Sequence, residues 1–158
     1  MMSDALSRIT NATAIGAGIT GGVFFAFSTF IMPALKRLPP EQGIAAMQSI
    51  NVKAINPLFM LSFFGPAIGS IVLIASARNH TNDASQRYLL AGGMLYLVGT
   101  AITLAINVPQ NNGLARLDPS APSSASAWKA YAATWTAANH ARDIASIAAA
   151  TLLSQSNW

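Results

Sequence analysis

The chain has 158 residues, 53% of them apolar and only 9% charged, and its mean hydropathy is +0.43. A soluble domain carries roughly 25% charged residues, so the polar surface is too small to cover a water-soluble globule. The Lys and Arg behind the net charge of +4 are scattered one or two at a time, which excludes a phosphate-tracking stripe and nucleic acid as a partner.

Between Arg8 and Lys36 lie 27 residues without a formal charge. A spanning helix needs about 20 mostly apolar residues, so a first span is predicted over 11–34. The run exceeds the roughly 7–15 residues of a signal-peptide apolar region and lacks a small-x-small exit, so it reads as a retained helix. Gly18-x3-Gly22 here, and Gly65-x3-Gly69 further on, are small-xxx-small pairs that let helix backbones approach. Pro39-Pro40 breaks the chain, and the connection holding Lys36, Arg37 and Lys53 reads as a loop.

The 24 uncharged residues between Lys53 and Arg78 predict a second span over 55–77, followed by a polar turn at Arg78–Gln86. The 28 between Arg87 and Arg116 predict a third over 87–108. Asp118-Pro-Ser-Ala-Pro-Ser-Ser-Ala-Ser is turn-rich and reads as a loop. Beyond it Trp128, Tyr131, Trp135, Asn139 and Arg142 recur three or four residues apart. This face predicts a short interfacial helix running into a fourth span over 132–154. The apolar segment from Ile144 to Trp158 is only 15 residues, so the fourth helix must take the polar cluster in with it. One all-α domain over 1–158 follows, an integral membrane four-helix bundle. Lys36, Arg37, Lys53, Arg116 and Lys129 outnumber Arg8, Arg78 and Arg87 across the membrane, which sets the first group in the cytoplasm of a bacterial inner membrane.

Alternating spans gather polar residues at one end. Ser28, Asn51, Asn56, Asn107, Asn111, Asn112 and the Asn139–Asp143 cluster all fall there. Tyr96, Thr100, Thr103 and Asn107 form a polar track toward it on one helical face. Threonines bonding back to their own helix, and asparagines capping its end, account for the same residues structurally. His140 is a candidate proton acceptor, with Asp143 one turn on to fix its tautomer. Arg142 is a candidate anion binder, because its charge survives burial and its fork matches a carboxylate or enolate. The structural alternatives are a local hydrogen bond for His140 and pairing with Asp143, or snorkelling, for Arg142. No cysteine is present and His80 falls at the opposite end from His140, so no metal site is expected. A haem with His140 as its one axial ligand stays open.

The chain resembles the anthrone-oxygenase-like family of small four-span membrane proteins. The matching segments are Gly22-Val-Phe-Phe-Ala-Phe-Ser-Thr-Phe-Ile-Met-Pro-Ala-Leu35, Gly43-Ile-Ala-Ala-Met-Gln-Ser-Ile-Asn51 and Asn56-Pro57, then Leu95-Tyr-Leu-Val-Gly-Thr100, Asn107-Val-Pro-x-Asn-Asn112 and Trp135-Thr-x3-Asn-His-x-Arg142. The resemblance implies a site formed by Asn107, Asn111, Asn112, Trp135, Asn139, His140 and Arg142. It also implies oxidation of a lipophilic aromatic or quinone-like substrate by molecular oxygen, with no further cofactor. On this reading His140 takes the substrate proton, Arg142 and the amides, Asn56 included, hold the enolate oxygen, and Trp135 with Phe25 flanks the rings. A second reading is a non-enzymatic binding or assembly protein, because amides bind well and transfer protons poorly. A lipophilic small molecule, membrane lipid and a second copy of the chain are the expected partners.

Overall fold

The computed structural model describes residues 4–77 and 84–156. These form five helices, α1 (Asp4–Leu35), α2 (Pro40–Ala54), α3 (Pro57–Ala77), α4 (Ala84–Leu114) and α5 (Ser124–Gln155). No strand occurs among the described residues. Of the expected turn between α3 and α4, Arg78 to Asp83, His80 included, lie outside the described residues. Three helices, α1, α3 and α4, are long and apolar enough to cross a membrane, and the molecule is a membrane helical bundle. α5 is not among those three. Its inward positions include Thr136, Asn139, Arg142, Asp143 and Ser146, which lower its apolarity while serving the bundle interior.

Four helices close a ring: α1 packs on α3 and α5, and α4 packs on the same two. Large apolar side chains such as Ile15, Ile68, Val98 and Ile144 point outward, whereas Ala17, Gly21, Ala67 and Ala149 are buried. Lipid is as apolar as leucine, so helices associate by close backbone approach and hydrogen bonds rather than by burying bulk. The approach does not use the expected Gly18-x3-Gly22 pair. Both residues are on the exposed phase of α1, and a Cβ on Gly22 would meet nothing within 4 Å. The tight crossing is at Gly16, where a Cβ would lie 2.5 Å from Pro66 Cγ of α3. Gly69 of the second expected pair does close on Thr13 of α1.

Pro66 sits inside α3 and has no N–H to give the Ser62 carbonyl. In an apolar bundle that oxygen needs another donor. The Thr20 hydroxyl of α1 supplies one at 2.6 Å. The buried Tyr96 hydroxyl of α4 donates to the adjacent Phe63 carbonyl at 2.8 Å. One proline therefore ties three helices together. Pro33 and Pro109 are accommodated differently: each follows a π-helical turn, Phe27–Ile31 in α1 and Thr103–Asn107 in α4. There Met32 donates to the Phe27 carbonyl and Val108 to the Thr103 carbonyl, five residues back.

Two expectations change. The connection after α1 is not a loop but contains the 15-residue helix α2. Pro39 is extended (ψ 141°) and Pro40 opens the helix, with Glu41 in the first turn and Lys53 in the last complementing the dipole. Gly43, Ile44 and Met47 turn inward against the end of the bundle, where they pack with Met32, Leu114 and Trp128. Gln48 fastens α2 to the end of α4 by donating to the Leu114 and Leu117 carbonyls at 2.9 and 3.0 Å. The short interfacial helix expected ahead of the last span is also not separate. It is the first part of α5, which starts at Ser124 after a turn in which Asp118 accepts from the Ser120 hydroxyl and N–H.

Thr20→Val is expected to lower stability in detergent by about 1–2 kcal/mol, because the Ser62 carbonyl loses its short donor. Gly16→Val should cost about 2–3 kcal/mol by overpacking against Pro66. Thermal unfolding of the two variants beside the parent checks both, and an unchanged midpoint for Thr20→Val would remove the proline account.

Candidate functional site

Asn139 and Arg142 are three residues apart on α5 and share its inward face; they are 0% and 5% exposed. The Arg142 guanidinium has five N–H donors. Nε and Nη2 donate to Asn139 Oδ1 at 3.2 and 2.9 Å, and Nη1 donates to Thr103 Oγ1 of α4 at 3.3 Å. One N–H on each terminal nitrogen is left. Asn139 in turn donates from Nδ2 to the Phe24 carbonyl at 2.8 Å and to Ser28 Oγ at 2.7 Å, both in α1. The cation lies over the Phe24 ring (4.0 Å to the centroid) and beside Trp135 (5.0 Å). Desolvated cation–π contacts of this kind contribute about 2 kcal/mol.

No carboxylate bonds to Arg142 among the described residues. Asp143 points elsewhere, because neighbouring residues on a helix diverge by about 100°. It is buried, and its Oδ1 has no partner. The Arg142–Asp143 pair, the structural alternative to an anion-binding role, does not form among the described residues.

Arg142 stands in the wall of a cleft of about 1090 Å³. α3 and α4 provide facing walls through Phe59, Phe63, Thr103 and Asn107, and the last turns of α2 close one end. The lining is mostly apolar, with a few amides set into it. Asn107, 1% exposed, donates from Nδ2 to the Trp135 carbonyl at 3.3 Å, and its Oδ1 is unpartnered. Asn111 Oδ1 accepts from Trp135 Nε1 at 2.8 Å and from the Tyr131 hydroxyl at 2.9 Å. An indole nitrogen only donates, so Oδ1 must face it and the Asn111 NH₂ is the end left over. Tyr131 and Trp135 are thereby held in an aromatic row with Trp128 and Phe27.

A family model described as anthrone oxygenase matches residues 59–152. The chain belongs to the anthrone oxygenase family. No curated protein and no solved structure matches it. The matched segment covers α3, α4 and most of α5, hence Asn107, Asn111, Trp135, Asn139 and Arg142. The part of the wall formed by α1 and α2 lies outside it.

Of the residues expected at the site in this family member, Asn56, Asn107, Asn111, Asn112, Trp135 and Arg142 line the cleft, and Asn139 stands behind Arg142. Asn56 is at the rim with both ends engaged locally. Its Oδ1 accepts from the Phe59 N–H at 3.1 Å and its Nδ2 donates to the Lys53 carbonyl, so it caps α3 ahead of Pro57. Phe25 is half exposed on the outer phase of α1; the ring that meets Arg142 is its neighbour Phe24. His140, the one haem ligand considered, is exposed on the outer face of α5 and does not line the cleft. No hydrogen bond joins it to Asp143 among the described residues. Nor do three His, Cys, Asp or Glu side chains gather there.

Phe24, Phe27, Asn51 and Thr103 also contribute to the wall and are not among the residues expected to form the site. Thr103 carried a signal, since it lies four residues before Asn107 on the polar track. Phe24 and Phe27 carried none, because a charge-free run gives a helix's length and not its phase.

Asn139→Leu is expected to cost about 1.5–3 kcal/mol, since it takes the guanidinium's principal acceptor away. Arg142→Met should cost less or stabilise, as replacing buried charge by an apolar chain of similar size commonly does. His140→Ala should stay within about 0.5 kcal/mol. Thermal unfolding in one detergent ranks the three, and a different order would show that Arg142 is held by something else.

Proposed function

We propose that this membrane protein binds a lipophilic aromatic with an acidic C–H, of the anthrone type, in the cleft and oxidises it with molecular oxygen. The observation that carries the proposal is Arg142: a buried cation with two free N–H donors, neutral partners and an apolar cleft in front of it. An unbalanced positive charge in low dielectric favours the anionic form of any acid placed beside it. A bound anthrone thus loses its ring-methylene proton to water at the open mouth and leaves an enolate oxygen on the guanidinium. The enolate passes one electron to O₂. The superoxide and carbon radical join as a C–O bond, the peroxide takes a proton, and loss of water leaves the quinone carbonyl. The sum is anthrone plus O₂ giving anthraquinone plus H₂O, with substrate as the reductant. Arg142 acts electrostatically, and Phe24, Phe27 and Trp135 shape a dry site for flat rings. We place the protein, with α5 as its fourth span, in the bacterial inner membrane.

A specific observation favours a second reading, a binding protein without chemistry. Among the described residues the titratable side chains lining the cleft are Lys53 and Arg142, both cations, and these present neither carboxylate nor imidazole as a base. Binding a lipid or small-molecule anion needs none.

Oxygen uptake separates the two. The purified protein with an anthrone should consume one O₂ per quinone formed, and Arg142→Met should reduce the rate at least about 100-fold. Undiminished turnover in Arg142→Met would end the electrostatic mechanism. Saturable binding without oxygen uptake would establish the binding reading instead.

A further inference from the structure

α4 lines the cleft with two rows of side chains. Thr103, Asn107 and Asn111 form the inner row, toward α5. Leu104, Val108 and Asn112, each one residue later, form an outer row whose members are exposed while still lining the cleft. Opposite them, Phe64 of α3 is likewise both lining and exposed. Side chains that are both stand at a mouth, so the cleft opens sideways between α3 and α4. Helix packing gives the reason. α3 packs on the Ala84–Ile102 part of α4, with Gly93 against Ile74 and Tyr96 on the Phe63 carbonyl, and has no comparable packing on the later part. The 21 residues of α3 make about 31 Å of helix, the thickness of a bilayer's hydrocarbon core. Pro57 is therefore at headgroup depth, and Phe64 is about 10 Å into the hydrocarbon. The lips of the mouth follow the same gradient. Phe64, Leu104 and Val108 are apolar, and Lys53 and Asn112 stand at the end nearer the headgroups. Both of these are exposed, and among the described residues no carboxylate bonds to Lys53 and no side-chain hydrogen bond engages Asn112.

We infer that this mouth is a seat for an anionic phospholipid. One acyl chain lies in the slot between Phe64 and the Leu104–Val108 row, and the phosphate takes the Lys53 ammonium and the Asn112 amide. Any outward apolar face of the bundle is covered by bulk lipid without regard to headgroup. Here a free cation stands over an apolar slot, and a basic residue at headgroup depth favours a negative lipid. A zwitterionic lipid fills the slot equally well, but its own ammonium offsets the attraction of its phosphate to Lys53. The seat lies in front of the residues that hold Arg142, so it is compatible with chemistry at the guanidinium and with binding alone.

The test reconstitutes the full chain in phosphatidylcholine vesicles containing a small share of photoreactive lipid. That lipid is phosphatidylglycerol or phosphatidylcholine, each with the same mid-chain diazirine, and adducts are mapped by peptide mass spectrometry. Segments 57–64 and 103–112 should gain about fivefold more adduct from phosphatidylglycerol than from phosphatidylcholine, the preference one lysine gives near anionic lipid. Ile144 and Ile147, exposed on the outer face of α5, supply the bulk-lipid baseline, with a ratio near one. Lys53→Gln, a change at an exposed side chain, should bring the mouth to that baseline, whereas Lys129→Gln should not. Equal labelling of the mouth by the two headgroups in the parent would overturn the inference, and this comparison needs no variant to fold. A preference that survives Lys53→Gln, or that falls as far in Lys129→Gln, would overturn the role of Lys53. Adducts at the mouth no denser than the baseline in either lipid would remove the sideways opening itself. Turnover at Arg142 plays no part in the readout, so failure here leaves the oxygen-uptake result to decide the proposed function.

Discussion

An arginine inside an apolar bundle has to be held by oxygen atoms and aromatic faces, and the manner of holding Arg142 organises the end of this molecule. Asn139 is the pivot. Its carbonyl oxygen takes two N–H groups from the guanidinium, and its NH₂ is spent on the Phe24 carbonyl and Ser28 of α1. α5 is thereby fixed to α1 through Asn139 and to α4 through Arg142 and Thr103. Using neutral acceptors instead of a carboxylate leaves the positive charge unbalanced. A structural salt bridge would have satisfied the cation and closed the site; an amide satisfies its geometry and leaves its charge available to a ligand.

Much of this end was legible in the sequence, and the limits are instructive. Charge-free gaps located α1, α3 and α4 because lipid tolerates few charges over the length of a span. The three-or-four spacing of Trp128, Tyr131, Trp135, Asn139 and Arg142 marked the inward face of α5, and all five are buried there. His140 is off that spacing by one residue. Its chemistry suggested a catalytic part, whereas its helical phase turns it outward. Phase likewise separates Phe24 from Phe25. Helix α2 escaped notice because a sequence that interleaves polar with apolar residues and turns only Gly43, Ile44 and Met47 inward does not look like a membrane element. Its use is local: it covers the open end of the bundle and anchors there through Gln48.

Prolines show how one chemical fault receives two solutions. In mid-bundle, the carbonyl opposite Pro66 is met by Thr20, with Tyr96 on the next carbonyl, so helix breakage becomes interhelical attachment. Near the polar end, Pro33 and Pro109 each follow a π-helical turn that moves the ladder by one residue before the ring arrives. The first solution stiffens the bundle where small residues let the backbones touch. The second changes helix geometry where side chains must be aimed.

That aiming explains the spacing of the cleft's polar wall. On an α-helix of 3.6 residues per turn, residues four apart drift by about 40° per step, so Thr103, Asn107 and Asn111 would fan across about 80°. A π-helical turn holds more residues per turn and offsets that drift within its own length. The turn in α4 spans Thr103–Asn107, the first of those two steps. Thr103 can then reach Arg142 while Asn107 reaches the Trp135 carbonyl and Asn111 the Trp135 indole, all on the α5 side of one wall. A regular helix would turn the later amides out of that line, away from α5. The extra residue that accommodates Pro109 is thus the same one that keeps three polar groups in register with the cation.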